Sequence, residues 1–77
     1  MVYVFLEIKE FSTKDNKKVY ILSVLDVVNT VVQKIFLTEQ QYNRMIQMSF
    51  ERFDDISSDI SVRYDSKSNC YHLAFIG

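Results

Sequence analysis

The 77-residue chain contains no proline and no tryptophan, and it has a single glycine, Gly77. Tight turns that need a positive φ angle must therefore rely on asparagine and aspartate, which tolerate that region better than other residues. Suitable residues stand between the apolar segments, and we expect turns at these positions: Asp15, Asn16, Asn29 and Asn69.

Long hydrophobic runs and paired cysteines are also missing. No apolar run approaches the roughly 20 residues that a membrane-spanning helix needs, and the amino terminus lacks the basic flank of a secretory leader. Cys70 is the only cysteine, which excludes a disulfide within the chain. We therefore expect a cytoplasmic protein in which Cys70 is a reduced thiol without a bound metal.

A surplus of basic charge is absent as well. Nine basic and ten acidic residues give a net charge of −1, whereas nucleic-acid-binding domains are usually basic. The charges are unevenly distributed, since residues 1–37 hold five lysines and four acids, and the acidic excess falls in residues 38–77. This distribution predicts a locally basic surface in the first half of the chain.

The residue combinations of common active sites are not found. Cys70 and His72 are too few to form a zinc site, which takes three or four ligands. Asp54 and Asp55 are more typical of a solvated loop than of an acid–base pair, and the chain has no glycine-rich phosphate loop. We expect no enzymatic activity and no cofactor.

Alternation of apolar and polar residues predicts five strands, at residues 2–11, 19–28, 31–37, 60–64 and 70–76. Between the third and the fourth strand, Thr38 and Gln41 have the spacing of a helix capping box. Tyr42, Met45 and Ile46 then follow at helical spacing. The prediction is a single, mainly β domain over residues 1–77, with the order β-β-β-α-β-β.

The alternation also predicts which side chains face outward. Charged residues mark the outer side of the first three strands, and aromatic residues are predicted on the same side: Tyr3, Phe5, Phe11, Tyr20 and Phe36, together with Lys9, Lys18 and Lys34. Five other aromatic residues are expected in the core: Tyr42, Phe50, Phe53, Tyr71 and Phe75.

This element order resembles the OB-fold family, and the small size is similar to the single-stranded-DNA-binding proteins of phages and other mobile elements. Residues 19–22, Val-Tyr-Ile-Leu after Asn-Lys-Lys, resemble the second strand of that family, and residues 38–50 resemble its helix. The resemblance implies a five-stranded barrel that binds single-stranded DNA.

Aromatic rings that stack on bases, with lysines along the phosphates, are typical of single-strand binding. The expected stacking residues are Tyr20, Phe36, Tyr3 and Phe5, and the expected phosphate contacts are Lys9, Lys18, Lys34 and Arg63. A protein-interaction module is the alternative, for example a phage-encoded inhibitor or an assembly subunit that uses an apolar face or an open sheet edge. A third alternative is a structural homodimer.

Overall fold

The computed structural model describes residues 2–77, which form five strands and one helix. In chain order the elements are β1 (Tyr3–Ser12), β2 (Lys18–Asp26), β3 (Val31–Leu37), α1 (Glu39–Met48), β4 (Ile60–Asp65) and β5 (Cys70–Ile76). The mainly β class and the order of elements are confirmed. No helix in residues 2–77 has the length and apolar character needed to cross a membrane.

The turns use the asparagines largely as expected. Asn16 and Asn69 have positive φ angles of 60° and 56°, in the β1–β2 and β4–β5 turns. In the β2–β3 turn, Thr30 takes the positive φ, at 54°, where Asn29 was expected. A β-branched residue in this region is strained, so the β2–β3 turn must be held by other contacts.

The five strands form one sheet in the order β1-β2-β3-β5-β4. Neighbouring strands are antiparallel except for β3 and β5, which are parallel and pair through Ile35 with Tyr71 and Phe36 with His72. Because β1 and β4 are the two ends of this order, the sheet is open. The predicted closed barrel was therefore wrong.

The segment that follows α1 explains why the sheet stays open. It lies along the start of β1, where the Phe5 amide donates to the Asp54 carbonyl at 2.8 Å and the Phe53 amide donates to the Phe5 carbonyl at 2.6 Å. The Ile56 amide donates to the Tyr3 carbonyl at 3.0 Å. These bonds occupy backbone groups of β1 that a closing strand would need.

The helix begins as the sequence predicts, after Thr38, and ends at Met48. The Gln41 amide donates to Thr38 Oγ1 at 3.2 Å, and the Thr38 amide donates to Gln41 Oε1 at 2.9 Å, which completes the capping box. Gln41 Nε2 also donates to the Leu73 carbonyl at 2.8 Å. Gln41 therefore connects the first turn of α1 to β5 as well as capping the helix.

The core lies between α1, residue Ile56 and one face of the sheet. Its buried apolar residues are Phe5, Tyr20, Leu22, Val24, Ile35, Leu37, Met45, Ile56, Ile60 and Leu73. Tyr42, Phe50 and Tyr71 pack against this cluster, as predicted. Phe53 and Phe75 are exposed, so their predicted place in the core was wrong.

The predicted orientation of β2 was also wrong. Its even-numbered residues from Tyr20 to Asp26 are buried, although the charges of Lys18 and Asp26 had suggested that they face solvent. Asp26 is only 1% exposed because its carboxylate accepts hydrogen bonds from the turn that follows: from the amides of Val28 and Asn29 and from Asn29 Nδ2. A buried charge with a local structural role had been interpreted as a surface residue.

In β1 the alternation changes partway along the strand. The pairing with β2 shifts between Phe5 and Glu7, so Leu6 is an extra residue at a β-bulge. Before the bulge, Phe5 is in the core and Tyr3 packs against it; after the bulge, Ile8 packs inward. The predicted outward placement was therefore wrong for Tyr3 and Phe5, whereas the predicted inward placement of Ile8 is confirmed.

Candidate functional site

A row of five side chains crosses the whole sheet on the face opposite the core. Each member is the direct pairing partner of the next across neighbouring strands: Lys9, Ile21, Phe36, His72 and Arg63. Directly paired residues project from the same face of a sheet. With strands about 4.8 Å apart, the row is roughly 19 Å long. We call it the cross-strand row, and the face that carries it the outer face.

The centre of the cross-strand row is aromatic. Phe36 and His72 have ring centroids 5.8 Å apart, with an angle of 35° between the ring planes. His72 Nε2 lies 3.3 Å from Ser68 Oγ and 3.9 Å from Asp65 Oδ2. The Lys67 amide is the main cause of a lowered pKa at Asp65, so this carboxylate is charged at neutral pH. These contacts position the imidazole beside Phe36.

Both ends of the row carry cations, and Lys34, two residues before Phe36 on β3, adds a third cation on the same face. Lys34 and Arg63 are exposed, and within residues 2–77 no carboxylate lies at salt-bridge distance from either. Lys9 Nζ lies 3.4 Å from Glu7 Oε1. An exposed pair of this kind is weak, so Lys9 can exchange Glu7 for another anion at little cost.

Lys18 is exposed at the start of β2, on the same side of that strand as Tyr20, and it is more firmly paired than Lys9. Its Nζ is 3.2 Å from Glu10 Oε1, and this hydrogen bond is the main cause of a raised pKa at Lys18. Lys18 is therefore charged at neutral pH, but the carboxylate of Glu10 offsets much of its field. The unpaired cations, Lys34 and Arg63, are better placed to attract an anion.

Two depressions flank the centre of the row. A cleft of about 300 Å³ is lined by Phe36, His72 and Arg63 from the row, and by Lys18 and the start of α1. A hollow of about 70 Å³ lies toward β1, where its lining includes Lys9, Phe11, Ile21 and Lys34. The outer face thus combines apolar and aromatic surface with positive charge at both of its ends.

The structure separates the eight residues predicted to bind nucleic acid. It brings Lys9, Lys34, Phe36 and Arg63 together on the outer face, whereas Lys18, on the other side of β2, only lines the cleft beside Phe36. Tyr20 and Phe5 are only 7% and 8% exposed, so neither ring has a free face for a ligand. The Tyr20 ring lies 4.6 Å from the Tyr42 ring, and burial is the main cause of its raised pKa.

Tyr3 is half-buried and packs against the core. Burial is the main cause of its raised pKa, with a contribution from the nearby charge of Asp26. Tyr3 pairs with Asp26 across β1 and β2, which places it on the core side of the sheet. Like Tyr20 and Phe5, it does not contribute to the outer face.

Sequence reasoning missed three residues of this face. Ile21 was placed inside because the orientation of β2 was wrong. Phe11 was placed outside, where it is in fact exposed, but it was not included among the binding residues. His72 was treated as an ordinary strand residue, because only the parallel register of β3 and β5 reveals its position beside Phe36.

The side chains that could hold a metal ion are those of His, Cys, Asp and Glu. In residues 2–77 no group of three or more His, Cys, Asp or Glu side chains is arranged to hold a metal ion. The Cys70 thiol donates to the Ser68 carbonyl, with 3.2 Å between sulfur and oxygen. The reduced, metal-free state of Cys70 remains a prediction.

No family model, curated protein or solved structure matches the chain. The functional argument therefore rests on the geometry of the outer face.

Proposed function

We propose that the outer face of the sheet binds single-stranded nucleic acid, and that DNA is the preferred form. The observation that carries this proposal is the cross-strand row, in which a central pair of rings lies between cations at both ends. Unpaired bases stack on aromatic side chains while cations contact the phosphates, and this combination gives sequence-tolerant binding of single strands.

Phe36 is the main stacking residue in this proposal, with His72 beside it. Lys34 and Arg63 contact phosphates directly, because no neighbouring carboxylate at salt-bridge distance competes for them among the described residues. Lys9 and Lys18 contribute after exchanging Glu7 and Glu10 for phosphates. A row of roughly 19 Å favours a short footprint, at the low end of the roughly 4–16 nucleotides that one OB-type domain covers.

The topology supports a relationship to the OB fold without a closed barrel. OB domains are five-stranded, partly open Greek-key barrels that bind oligonucleotides on the face of their second and third strands. Here a three-stranded meander is followed by a helix and a hairpin that joins β3 in parallel. The candidate face lies on β2, β3 and their neighbours, where such a domain would bind its ligand. Preference for DNA, and a relationship to phage or mobile-element proteins, are proposals that follow from this resemblance.

Titration of labelled oligonucleotides, followed by fluorescence anisotropy, tests the proposal. A single strand and the duplex of the same sequence are compared at about 50 mM and about 200 mM salt. We expect the single strand to bind more tightly than the duplex, because base pairing hides the ring faces that Phe36 would contact. We also expect its affinity to fall steeply with salt. The absence of salt-dependent binding to any single strand would disprove the proposal.

A protein-interaction module is the second candidate, and one observation favours it. Four valines at the β2–β3 turn are exposed, and exposed apolar clusters commonly mark protein contacts. An inhibitor or assembly subunit would use such a surface in place of the outer face. Failure of the oligonucleotide titration, together with a partner bound through these valines, would favour this candidate.

A further inference from the structure

The tip of the β2–β3 hairpin is apolar, exposed and uncharged. We define the hairpin tip as residues 27–33, which contain no charged side chain. Its valines, between 46% and 68% exposed, are Val27, Val28, Val31 and Val32. Exposed turns usually carry polar residues, so a cluster of four valines is unexpected at this position.

The backbone of the hairpin tip is held in one conformation. The buried carboxylate of Asp26 accepts hydrogen bonds of 3.1 Å and 3.2 Å from the amides of Val28 and Asn29, and one of 2.9 Å from Asn29 Nδ2. Thr30 is kept at a φ of 54°, which is strained for a β-branched residue. A preorganised apolar surface loses little conformational entropy when it binds a partner.

The first half of β3 is also an open sheet edge. β5 begins at Cys70, which in the parallel register lies level with Lys34, so residues 31–33 have β2 on one side and no described strand on the other. Such an edge presents unpaired backbone N–H and C=O groups. Residues 31–33 can therefore accept a further strand.

The edges of β1 and β4 are protected by charge, whereas this one is not. Charged side chains on edge strands prevent pairing with other chains. Beyond the part covered by residues 53–56, β1 carries Glu7, Lys9 and Glu10, and β4 carries Arg63 and Asp65. Residues 31–33 are Val, Val and Gln, and the first charge on β3 is Lys34. This stretch therefore lacks the charged protection that the edges of β1 and β4 have.

We propose that the occupant of this edge is a second copy of the chain, whose β3 pairs antiparallel about a two-fold axis. A two-fold interface brings the same patch of both copies together. In any such pairing centred within residues 31–33, Lys34 of one copy faces residues 28–32 of the other, all uncharged. No like charges oppose each other, and Val31 and Val32 of the two copies come together at the paired edge.

The small size of the patch sets the strength of the dimer. Stable interfaces bury about 1,200–2,000 Å² in total, and a few edge residues with four valines per copy fall below that range. We expect a dissociation constant in the micromolar range or weaker, so that dimers form reversibly with concentration.

Sedimentation equilibrium from about 1 µM to about 1 mM tests the proposal, without nucleic acid present. The wild type is expected to shift from monomer to dimer over this range. Val32→Lys places a charge on the paired edge and should keep the protein monomeric at every concentration. Val28→Lys repeats the test in the turn, outside the strand, and circular dichroism checks that each variant is folded.

Ile46→Lys is the matched control. Ile46 is 49% exposed and β-branched, like Val32 at 52%, but it lies on α1. This variant should dimerise like the wild type. A wild type that stays monomeric at about 1 mM overturns the proposal, and so does a dimer that persists in both valine variants or is equally weakened by Ile46→Lys. Because no ligand is used, the result is independent of nucleic-acid binding.

Discussion

Phe36 and His72 are directly paired across the only parallel strand pair of the described sheet, and their ring centroids are 5.8 Å apart. This pair joins the β1–β2–β3 meander to the β4–β5 hairpin. The candidate site therefore depends on both halves of the sheet, with Lys9 contributed by the first and Arg63 by the second. If the β4–β5 hairpin paired with β3 in a different register, Phe36 and His72 would no longer be neighbours at the centre of the cross-strand row.

Replacement of Phe36 should reduce binding more than it reduces stability. Phe36→Ala is expected to weaken single-strand binding by about 1–3 kcal/mol, the value of one base stack, while the protein remains folded. Phe5→Ala removes a ring from the core and should cost about 3–5 kcal/mol of stability. Anisotropy and urea unfolding of both variants separate the two effects. Unchanged affinity in folded Phe36→Ala would exclude this ring as the stacking residue.

Lys34 should contribute to affinity through the phosphates alone. Lys34→Ala is expected to reduce the slope of log affinity against log salt by about one unit, because one fewer counterion is released. Arg44→Ala removes a cation from α1 and serves as the control, which should leave the slope unchanged. Equal slopes for the wild type and Lys34→Ala would place the bound strand away from this lysine.

Removal of one acid from the outer face should strengthen binding. Glu7 lines the hollow near Lys34 and pairs with Lys9. Glu7→Gln removes a repulsive charge and frees Lys9, so we expect affinity to rise about two- to fivefold at low salt. Glu51→Gln, beyond the end of α1, makes the same chemical change elsewhere and should have no effect. A loss of affinity in Glu7→Gln would contradict the proposed path of the phosphates.

The helix cap should make a measurable contribution to stability. Thr38→Ala leaves the Gln41 amide without its acceptor, and we expect a loss of about 1 kcal/mol in the free energy of unfolding. Gln41→Ala removes the acceptor of the Thr38 amide and also the hydrogen bond to the Leu73 carbonyl, so we expect a larger loss in the free energy of unfolding than for Thr38→Ala. Urea unfolding measures both. A smaller effect of Gln41→Ala would show that the contact with β5 adds nothing.

Asp26 should make stability depend on pH in the acid range. Hydrogen bonds lower the pKa of the Asp26 carboxyl below the ordinary value of 3.8. The largest contribution comes from the side-chain amide of Asn29, and the backbone amides of Asn29 and Val28 add to it. A lowered pKa in the folded state means that the stabilisation is fully present above the unfolded-state pKa and is lost as pH falls through the folded-state pKa.

The Asp26→Asn variant isolates this contribution. The wild type should be the more stable protein at neutral pH, and the difference should shrink below about pH 4 as the carboxylate becomes protonated. Asp55 and Asp65, whose pKa values are also lowered, are present in both proteins, so their effects cancel. Urea midpoints between about pH 2 and about pH 7 provide the test. A difference that stays constant with pH would exclude a role for the charge of Asp26.

Local patterns predicted the elements well, and non-local contacts explain the errors. The strands, the Thr38 cap and the orientation of β3 follow from neighbouring residues, so they were predicted correctly. The burial of Asp26 depends on hydrogen bonds from the following turn. Because its charge was taken to mark the solvent-facing side of β2, the orientation of β2 was predicted wrongly. The bulge at Leu6 follows from the pairing of β1 with β2, which no alternation within β1 reveals.

The sequence predicted some residues of the candidate site and misplaced or missed others. Lys34 and Phe36 were placed on the outer face because the charge of Lys34 marked the solvent side of β3, and the pairing of β3 with β2 contains no bulge that would change this side. Tyr20 and Phe5 were wrongly placed there because the orientations of β2 and of the start of β1 were wrong. His72 required the register of two strands that are far apart in sequence. The open sheet depends on residues 53–56 lying against β1, and the sequence of that loop does not predict this contact.

The bulge at Leu6 allows a single strand to serve two opposite surfaces. Phe5 faces the core and Lys9 faces solvent, although both have odd numbers, because one inserted residue reverses the phase of the alternation between them. If Leu6 were paired as an ordinary strand residue, Phe5 and Lys9 would be four positions apart in an unbroken alternation and would share one side of the sheet. The separation of an apolar interior from a cationic exterior in β1 thus depends on one residue that takes no part in the pairing.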